Sequence, residues 1–245
     1  MSSIAIGRHP IGPGSPCFIV AEAGVNHNGS VSRAYELIDI AADAGADAVK
    51  FQIIHAHAMV SPDAPKAEYQ KRDGSPDATQ LEMLLRLQLS AADFASLAVY
   101  AQRRGIVFLA TPFDAAGVDL IHELDITAVK IGSGDVTNHP LLERVAALGK
   151  PVILSTGMSS LSEVGEAVGV LEAGGVARYA LLQCVSCYPA VSADSNLRTL
   201  RTLQERFNAP VGFSDHTVGN TIGIAATALG ACILEKHFTQ NRNLP

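Results

Sequence analysis

Two short runs near the end of the chain, Ser214-Asp215-His216 and Glu235-Lys236-His237, each place a histidine where an apolar stretch runs out. The stretches, Ala209 to Phe213 and Ala231 to Leu234, read as buried strands with a helix-compatible segment between them. Imidazoles at the ends of adjacent strands can share one divalent cation. Two imidazoles alone would leave the other positions to water, carboxylate or substrate, the open coordination of a catalytic site. Two unrelated capping histidines would give the same pattern, so the reading turns on what the other strand ends carry.

In chain order those ends carry Glu22, Lys50 and Gln52, Thr111, Lys130 with Ser133 and Asp135, Ser155, Ser186 with Tyr188, then His216, and Glu235 with His237. Lys50 and Lys130 each follow an Ala-Val pair inside an apolar run. A lysine there must be paired or carry a large desolvation cost. Two lysines and a divalent metal, ringed by the hydroxyls of Thr111, Ser133, Ser155, Ser186 and Ser214, form a receptor for a small, highly charged anion, and a phosphorylated carboxylate fits best. Gly132, Gly134 and Gly157 would let backbone amides approach it. Singly, the serines and threonines also read as ordinary helix caps. Glu22, Asp135 and Glu235 would orient sugar hydroxyls, sit in the outer shell of the metal or move protons; each alone also suits a cap or salt bridge. The Cys184-Val185-Ser186-Cys187 run is read as coincidence, since no second such pair exists for zinc and it ends a strand instead of opening a helix.

Eight short apolar runs position these residues: Phe18 to Ala23, Ala48 to Gln52, Val107 to Thr111, Ala128 to Ser133, Val152 to Thr156, Tyr179 to Cys184, and the two named above. Between them Val31 to Ala44, Ala91 to Arg104, Ala115 to Glu123, Leu141 to Leu148, Leu161 to Glu172, Leu197 to Phe207 and Thr221 to Leu229 have helical spacing. Gly45, Gly105, Gly149, Gly174 and Gly230 follow helices as C-terminal caps. Such alternation predicts parallel strands with right-handed crossovers, and the α/β fold expected is a TIM-type (β/α)8 barrel, with its site at the C-terminal strand ends. An open doubly wound sheet would more often carry a phosphate-binding G-x-G-x-x-G after the first strand, and Gly24 to Gly29 does not supply it. His55 to Gln88 interrupts the pattern as an insertion of loops, marked by Pro62, Pro65, Gly74 and Pro76, around a short helix ending in Leu81 to Leu87. After the eighth strand only Thr239 to Pro245 follow, too few for an eighth helix, so the expectation is a truncated single barrel domain over 1–245 with an apolar strip open on its first and last helices.

The 245 residues are close to the roughly 250 typical of one such barrel. A net charge of −6 with no basic run argues against nucleic acid as a partner. No run is long and apolar enough to span a membrane, and Met1 to Pro16 is too broken by glycine and proline to be a signal peptide; with four cysteines in no disulfide-rich spacing, the expectation is a cytoplasmic protein.

Seven motifs, in order, resemble the N-acetylneuraminate (sialic acid) synthase family, which includes legionaminic and pseudaminic acid synthases and spore-coat polysaccharide proteins. They are A-E-A-G-V-N-H-N-G (Ala21 to Gly29), V-K-F-Q (Val49 to Gln52), T-P-F-D (Thr111 to Asp114), K-I-G-S-G-D (Lys130 to Asp135), L-S-T-G-M (Leu154 to Met158), G-F-S-D-H-T (Gly212 to Thr217) and L-E-K-H-F-T (Leu234 to Thr239). The resemblance implies a barrel followed by a small antifreeze-like domain, and the expectation is that these 245 residues cover the barrel without that domain. It also implies a condensation of phosphoenolpyruvate with an N-acylated hexosamine, giving a nonulosonic acid and phosphate. By the same resemblance Lys50, Thr111, Lys130, Ser133, Ser155, Ser186 and Ser214 would hold phosphoenolpyruvate, and His216 and His237 would hold manganese or magnesium. Gln52, Tyr188 and Asp135 would face the sugar, Glu22 and Glu235 would support the reacting centre, and the full-length protein would be a homodimer. The chain departs from the family at Val185 and Ala190 to Ser195, and the departures bear on which sugar it would take. The competing expectations are a Schiff-base pyruvate aldolase using Lys130 or Lys50, and a barrel fragment that binds an anion without turnover.

Overall fold

The computed structural model describes residues 3–71 and 79–244, so Gly74 and Pro76 of the insertion lie outside the described residues. A short antiparallel hairpin, β1 (Ile4–Ile6) and β2 (His9–Ile11), comes first. Its glycine- and proline-interrupted sequence carries no strand signal, and the sequence reading had no element there. The barrel begins with β3 (Phe18–Gly24), α1 (Val31–Asp43) and β4 (Ala48–Ile53). The insertion contributes α2 (Ala56–Met59), a 3-10 turn at Glu68–Lys71 and α3 (Gln80–Leu87). The alternation resumes with α4 (Ala91–Arg103), β5 (Val107–Pro112), α5 (Ala115–Glu123) and β6 (Val129–Ile131). It continues with α6 (His139–Ala146), β7 (Val152–Ser155), α7 (Leu161–Ala173) and β8 (Tyr179–Cys184). Finally come α8 (Thr199–Phe207), β9 (Val211–Asp215), α9 (Thr221–Ala228) and β10 (Ile233–His237). Strands β3 to β10 are parallel and close into a barrel in chain order, β10 pairing with β3.

Both faces of this sheet are covered, which is why β8 reads Tyr-Ala-Leu-Leu-Gln-Cys with every residue buried. Outside, Leu37, Phe94, Ile121, Val145, Leu171 and Leu203 pack the helices onto the strands. Inside, Val20, Leu109, Ile153, Leu182 and Ile233 fill the barrel, and Ile4, Ile6 and Ile11 of the hairpin join the same cluster. Side chains alternate along a strand with a period of two. Two residues beyond Val20, Ala48, Leu109, Ala128, Ile153 and Ile233 stand Glu22, Lys50, Thr111, Lys130, Ser155 and Glu235. The inner apolar layer is thus capped, strand by strand, by a polar layer on the same face. The insertion is held by its own small core of Ile54, Ala56, Met83, Leu84 and Leu87, and α3 starts from a capping box between Thr79 and Glu82.

Several boundaries differ from the sequence reading. The last two strands run on through Asp215 and His237, because ladder pairing with each other and with β3 satisfies a polar backbone that looked like loop. β6 stops at Ile131 and the chain turns into a 3-10 turn at Ser133–Asp135, so Ser133 is not a strand residue. After α7 the left-handed position is taken by Gly175 (φ 92°), whereas Gly174 has φ −79°. No helix follows β10 among the described residues, and Ile40 of α1, Ile224 of α9 and Leu229 are exposed. Among the described residues no helix is long and apolar enough to cross a membrane.

Gly212 of β9 tests the packing. A Cβ added there would run into the Ile233 carbonyl oxygen and stand 2.7 Å from Leu182 Cδ2. Gly212→Ala is expected to lower stability by about 1–3 kcal/mol through overpacking; an unchanged urea midpoint would contradict this account of the barrel interior.

Candidate active site

The polar layer opens at the C-terminal end of the barrel into a cavity of about 680 Å³. Of the side chains singled out from the sequence, all but Asp135 line it. Asp135 sits in the turn after β6 and its carboxylate accepts a hydrogen bond from Asn138 Nδ2 at 3.2 Å; burial raises its pKa and that bond opposes the rise. Its place near a strand end and at the close of the K-I-G-S-G-D motif were the sequence signals for it, and the turn carries it out of the lining. Glu68, Phe113 and Met158 line the cavity without having been singled out, and so do Cys184 and Cys187 of the run read as coincidence. Phe113 and Met158 closely follow the strand-end residues Thr111 and Ser155, a signal the sequence did offer; Glu68, in the insertion, had none.

Four buried charges form the floor: Glu22, Lys50, Lys130 and Glu235. Lys50 Nζ lies 2.6 Å from Glu22 Oε2 and 3.7 Å from Glu235 Oε2, and donates to Thr111 Oγ1 at 3.1 Å. Lys130 Nζ lies 3.6 Å from Glu235 Oε1 and donates to Ser155 Oγ at 2.8 Å and the Ile131 carbonyl at 3.1 Å. Ser214 Oγ donates to Glu235 Oε1 at 2.9 Å. Glu22 Oε2 and Glu235 Oε2 make no directed hydrogen bond; both face Lys50 as off-axis ion pairs.

The charges are unevenly compensated. Burial pushes Glu235 up, but Lys130, Lys50 and the Ser214 hydroxyl outweigh it and hold the carboxyl at about 2. Burial, helped by the Glu235 charge, keeps Glu22 raised despite Lys50. Burial also lowers Lys130, with Glu235 opposing and Lys50 adding to it, whereas Glu22 and Glu235 overcome burial at Lys50 and raise it. Around the floor stand Ser133 and Ser186, their hydroxyls 3.1 Å apart. Gly157 serves packing here, since a Cβ would stand 2.7 Å from the Cys184 carbonyl oxygen, whereas nothing lies within 4 Å of a Cβ at Gly132 or Gly134. Cys184 is buried and Cys187 exposed, and both thiols are free.

His216 and His237 stand on the rim with ring centroids 5.8 Å apart, and Tyr188 packs 4.3 Å from the first and 5.9 Å from the second. The His216 Nδ1–H donates to the Val185 carbonyl at 2.6 Å. Ser214 spends its proton on Glu235, so the His216 Nε2 lone pair, 3.3 Å from Ser214 Oγ, has no donor. A ring N–H tied to a backbone carbonyl with the other nitrogen bare is the arrangement of a metal-ligating histidine. Burial lowers the pKa of both rings; the Lys50 charge adds to this at His237, which reaches about 4 although its edge is open to the solvent of the mouth. Gly24, at φ 54°, allows the close approach: a Cβ would stand 3.4 Å from the His237 ring and 3.2 Å from Glu22 Oε1. Two bare imidazoles beside buried carboxylates therefore fit a divalent cation with most positions left open. No group of three or more His, Cys, Asp or Glu side chains is placed to hold a metal among the described residues.

Removing Glu235 would leave two buried ammoniums facing Glu22 alone. Glu235→Gln is expected to lower stability by about 3–5 kcal/mol at neutral pH. Glu235 has a folded value of about 2 against an ordinary 4.5, so its contribution is full above 4.5 and is lost as pH falls towards 2. Urea unfolding across pH should show the gap between wild type and variant closing in acid, and a pH-independent gap would contradict the pairing.

The NeuB family model matches residues 37–245. The chain is 47% identical to the N,N'-diacetyllegionaminic acid synthase of Campylobacter jejuni, over 92% of this chain and 68% of that protein. It is 36% identical to the N-acetylneuraminate-9-phosphate synthase of Mus musculus, over 95% and 64%. Among solved structures, the N-acetylneuraminic acid (sialic acid) synthetase of Leptospira borgpetersenii in complex with citrate superposes with a TM-score of 0.89 at 36% identity, covering 98% of this chain and 79% of that one. With that identity, coverage and barrel in common, the chain belongs to the NeuB family of sialic and related nonulosonic acid synthases.

Proposed function

We propose that this chain condenses phosphoenolpyruvate with the open-chain aldehyde of an N-acylated hexosamine of the N-acetylmannosamine type, giving a nonulosonic acid and phosphate for surface-glycan biosynthesis. The observation that carries the proposal is the pair of buried ammoniums, Lys50 and Lys130, at the base of a cavity ringed by hydroxyls. Lys50 and Lys130 bind the phosphate and carboxylate of phosphoenolpyruvate, helped by Thr111, Ser133, Ser155, Ser186 and Ser214. Glu235 stays ionised between the lysines and fixes their positions. The citrate in the Leptospira relative is likewise a small polyanion.

His216 and His237 would hold manganese or magnesium, which when bound polarises a carbonyl oxygen. The sugar enters above the anion, where Gln52 and Tyr188 line the cavity and Asp135 does not. C3 of phosphoenolpyruvate attacks the aldehyde carbon, water adds at C2, and the adduct loses phosphate. Glu22, its carboxyl raised by burial and paired with Lys50, accepts from Gln52 Nε2 at 3.4 Å and would serve as the proton-transfer group beside the developing sugar alkoxide. Orienting two substrates over one floor contributes at best roughly 7–11 kcal/mol. A homodimer in the cytoplasm is the assembly and compartment that go with this reading.

The lowered pKa of Lys130 also supports a second reading, a Schiff-base aldolase acting on pyruvate. Phosphate release that requires phosphoenolpyruvate, an N-acylhexosamine and a divalent metal, and stops with a chelator, is the expected result. A borohydride-trapped pyruvate adduct on Lys130 or Lys50, with no metal requirement, would replace the first reading with the second.

Only neutral imidazole ligates a metal. With His237 at about 4 and His216 also lowered, Mn2+ affinity followed by electron paramagnetic resonance should be level from neutral to mildly acid pH and fall as pH nears 4. A loss centred on the ordinary histidine value of 6.5 would contradict the lowering of the two imidazoles, and affinity that did not fall in acid would contradict histidine ligation.

A further inference from the structure

The outer face of β9 and β10 carries a cluster that the site just described does not use. Alternation along the strands turns Ser214, His216, Glu235 and His237 inward and Asp215 and Lys236 outward. Asp215 and Lys236 stand directly opposite each other in the ladder. The Asp215 side chain is wholly buried, and a Cβ added at Gly223 of α9 would come within 3.3 Å of its Oδ2. Its Oδ1 accepts from Thr217 N at 2.9 Å and Thr217 Oγ1 at 2.7 Å, and its Oδ2 from Lys236 Nζ at 2.8 Å. The same ammonium donates to the Thr217 carbonyl at 2.8 Å.

The ladder between β9 and β10 ends at the Lys236 and Asp215 pair. Beyond it His237 pairs with Glu22 of β3, while the His216 carbonyl accepts from Ala190 N at 2.9 Å, in the segment after β8. The seam therefore parts where the two imidazoles need a fixed spacing. Lys236 spans that gap: it grips the residue before His216 and the residue after it, from the position next to His237.

We propose that Asp215, Lys236 and Thr217 form a clamp that fixes the separation of the His216 and His237 imidazoles, and through it the affinity for the divalent cation they share. This rests on the metal role given to the histidines under the proposed function. Lys236 and Asp215 are positioning residues, acting through their neighbours. A buried ion pair gains little net stability after desolvation, whereas partners that orient metal ligands change affinity strongly.

The test is Mn2+ binding by electron paramagnetic resonance to Lys236→Met and Asp215→Asn, with urea unfolding and metal-free phosphoenolpyruvate titration on the same samples. The expected result is affinity lowered roughly 10- to 100-fold and an altered bound-Mn2+ spectrum, with phosphoenolpyruvate affinity unchanged. Wild-type affinity and spectrum in a folded variant would overturn the clamp. If the wild type itself bound no Mn2+, the proposed function would fall, and metal-free crystal structures of wild type and variant would decide the clamp separately: a changed distance between the rings supports it, an unchanged one overturns it.

Discussion

Four charges buried at the centre of a barrel set the terms for everything above them. Lysines at positions 50 and 130 lie in the interior only because Glu22 and Glu235 face them, and the carboxylates are held there only by the lysines. Desolvation makes such a cluster a poor source of stability. Its physical sense lies in what it offers the cavity: fixed ammoniums in a buried floor, with one carboxylate held ionised and the other raised towards protonation. A floor of that kind can take up a polyanion without rearranging, which is the preorganisation that catalysis by charge stabilisation needs.

The barrel supplies this floor through strand periodicity. On six of the eight strands an inward apolar residue is followed two positions later by an inward polar one, so a single layer change converts packed core into site. The hairpin at the start of the chain adds Ile4, Ile6 and Ile11 to the inner core. At the mouth, close approach of backbones matters as much as side-chain choice. Gly24 lets β3 bend past His237, and Gly157 lets the segment after β7 lie against Cys184.

Much of this was legible in the sequence because the signals were local. A lysine after an Ala-Val pair, twice, cannot be an ordinary core residue, and β/α alternation at this length leaves few folds. The errors came where pairing across the barrel overrides local character. Ser214, Asp215 and Lys236 look like loop, yet they belong to strands because the neighbouring ladder satisfies their backbone and an ion pair satisfies their charge. Asp135 looked like a strand-end residue and is not in the lining, because β6 is only three residues long and turns away. Which lysine faces which glutamate could not be read at all, since the partners lie on different strands and closure of the barrel alone brings them together.

Family membership gives the chemistry a context, and the four-charge floor is what ties that chemistry to this chain. The most direct test is calorimetric titration of phosphoenolpyruvate into the wild-type chain and into a folded Lys50→Met variant. Saturable binding by the wild type that is lost in the variant is the result the account predicts. No binding by the wild type, or equal binding by both, would contradict it.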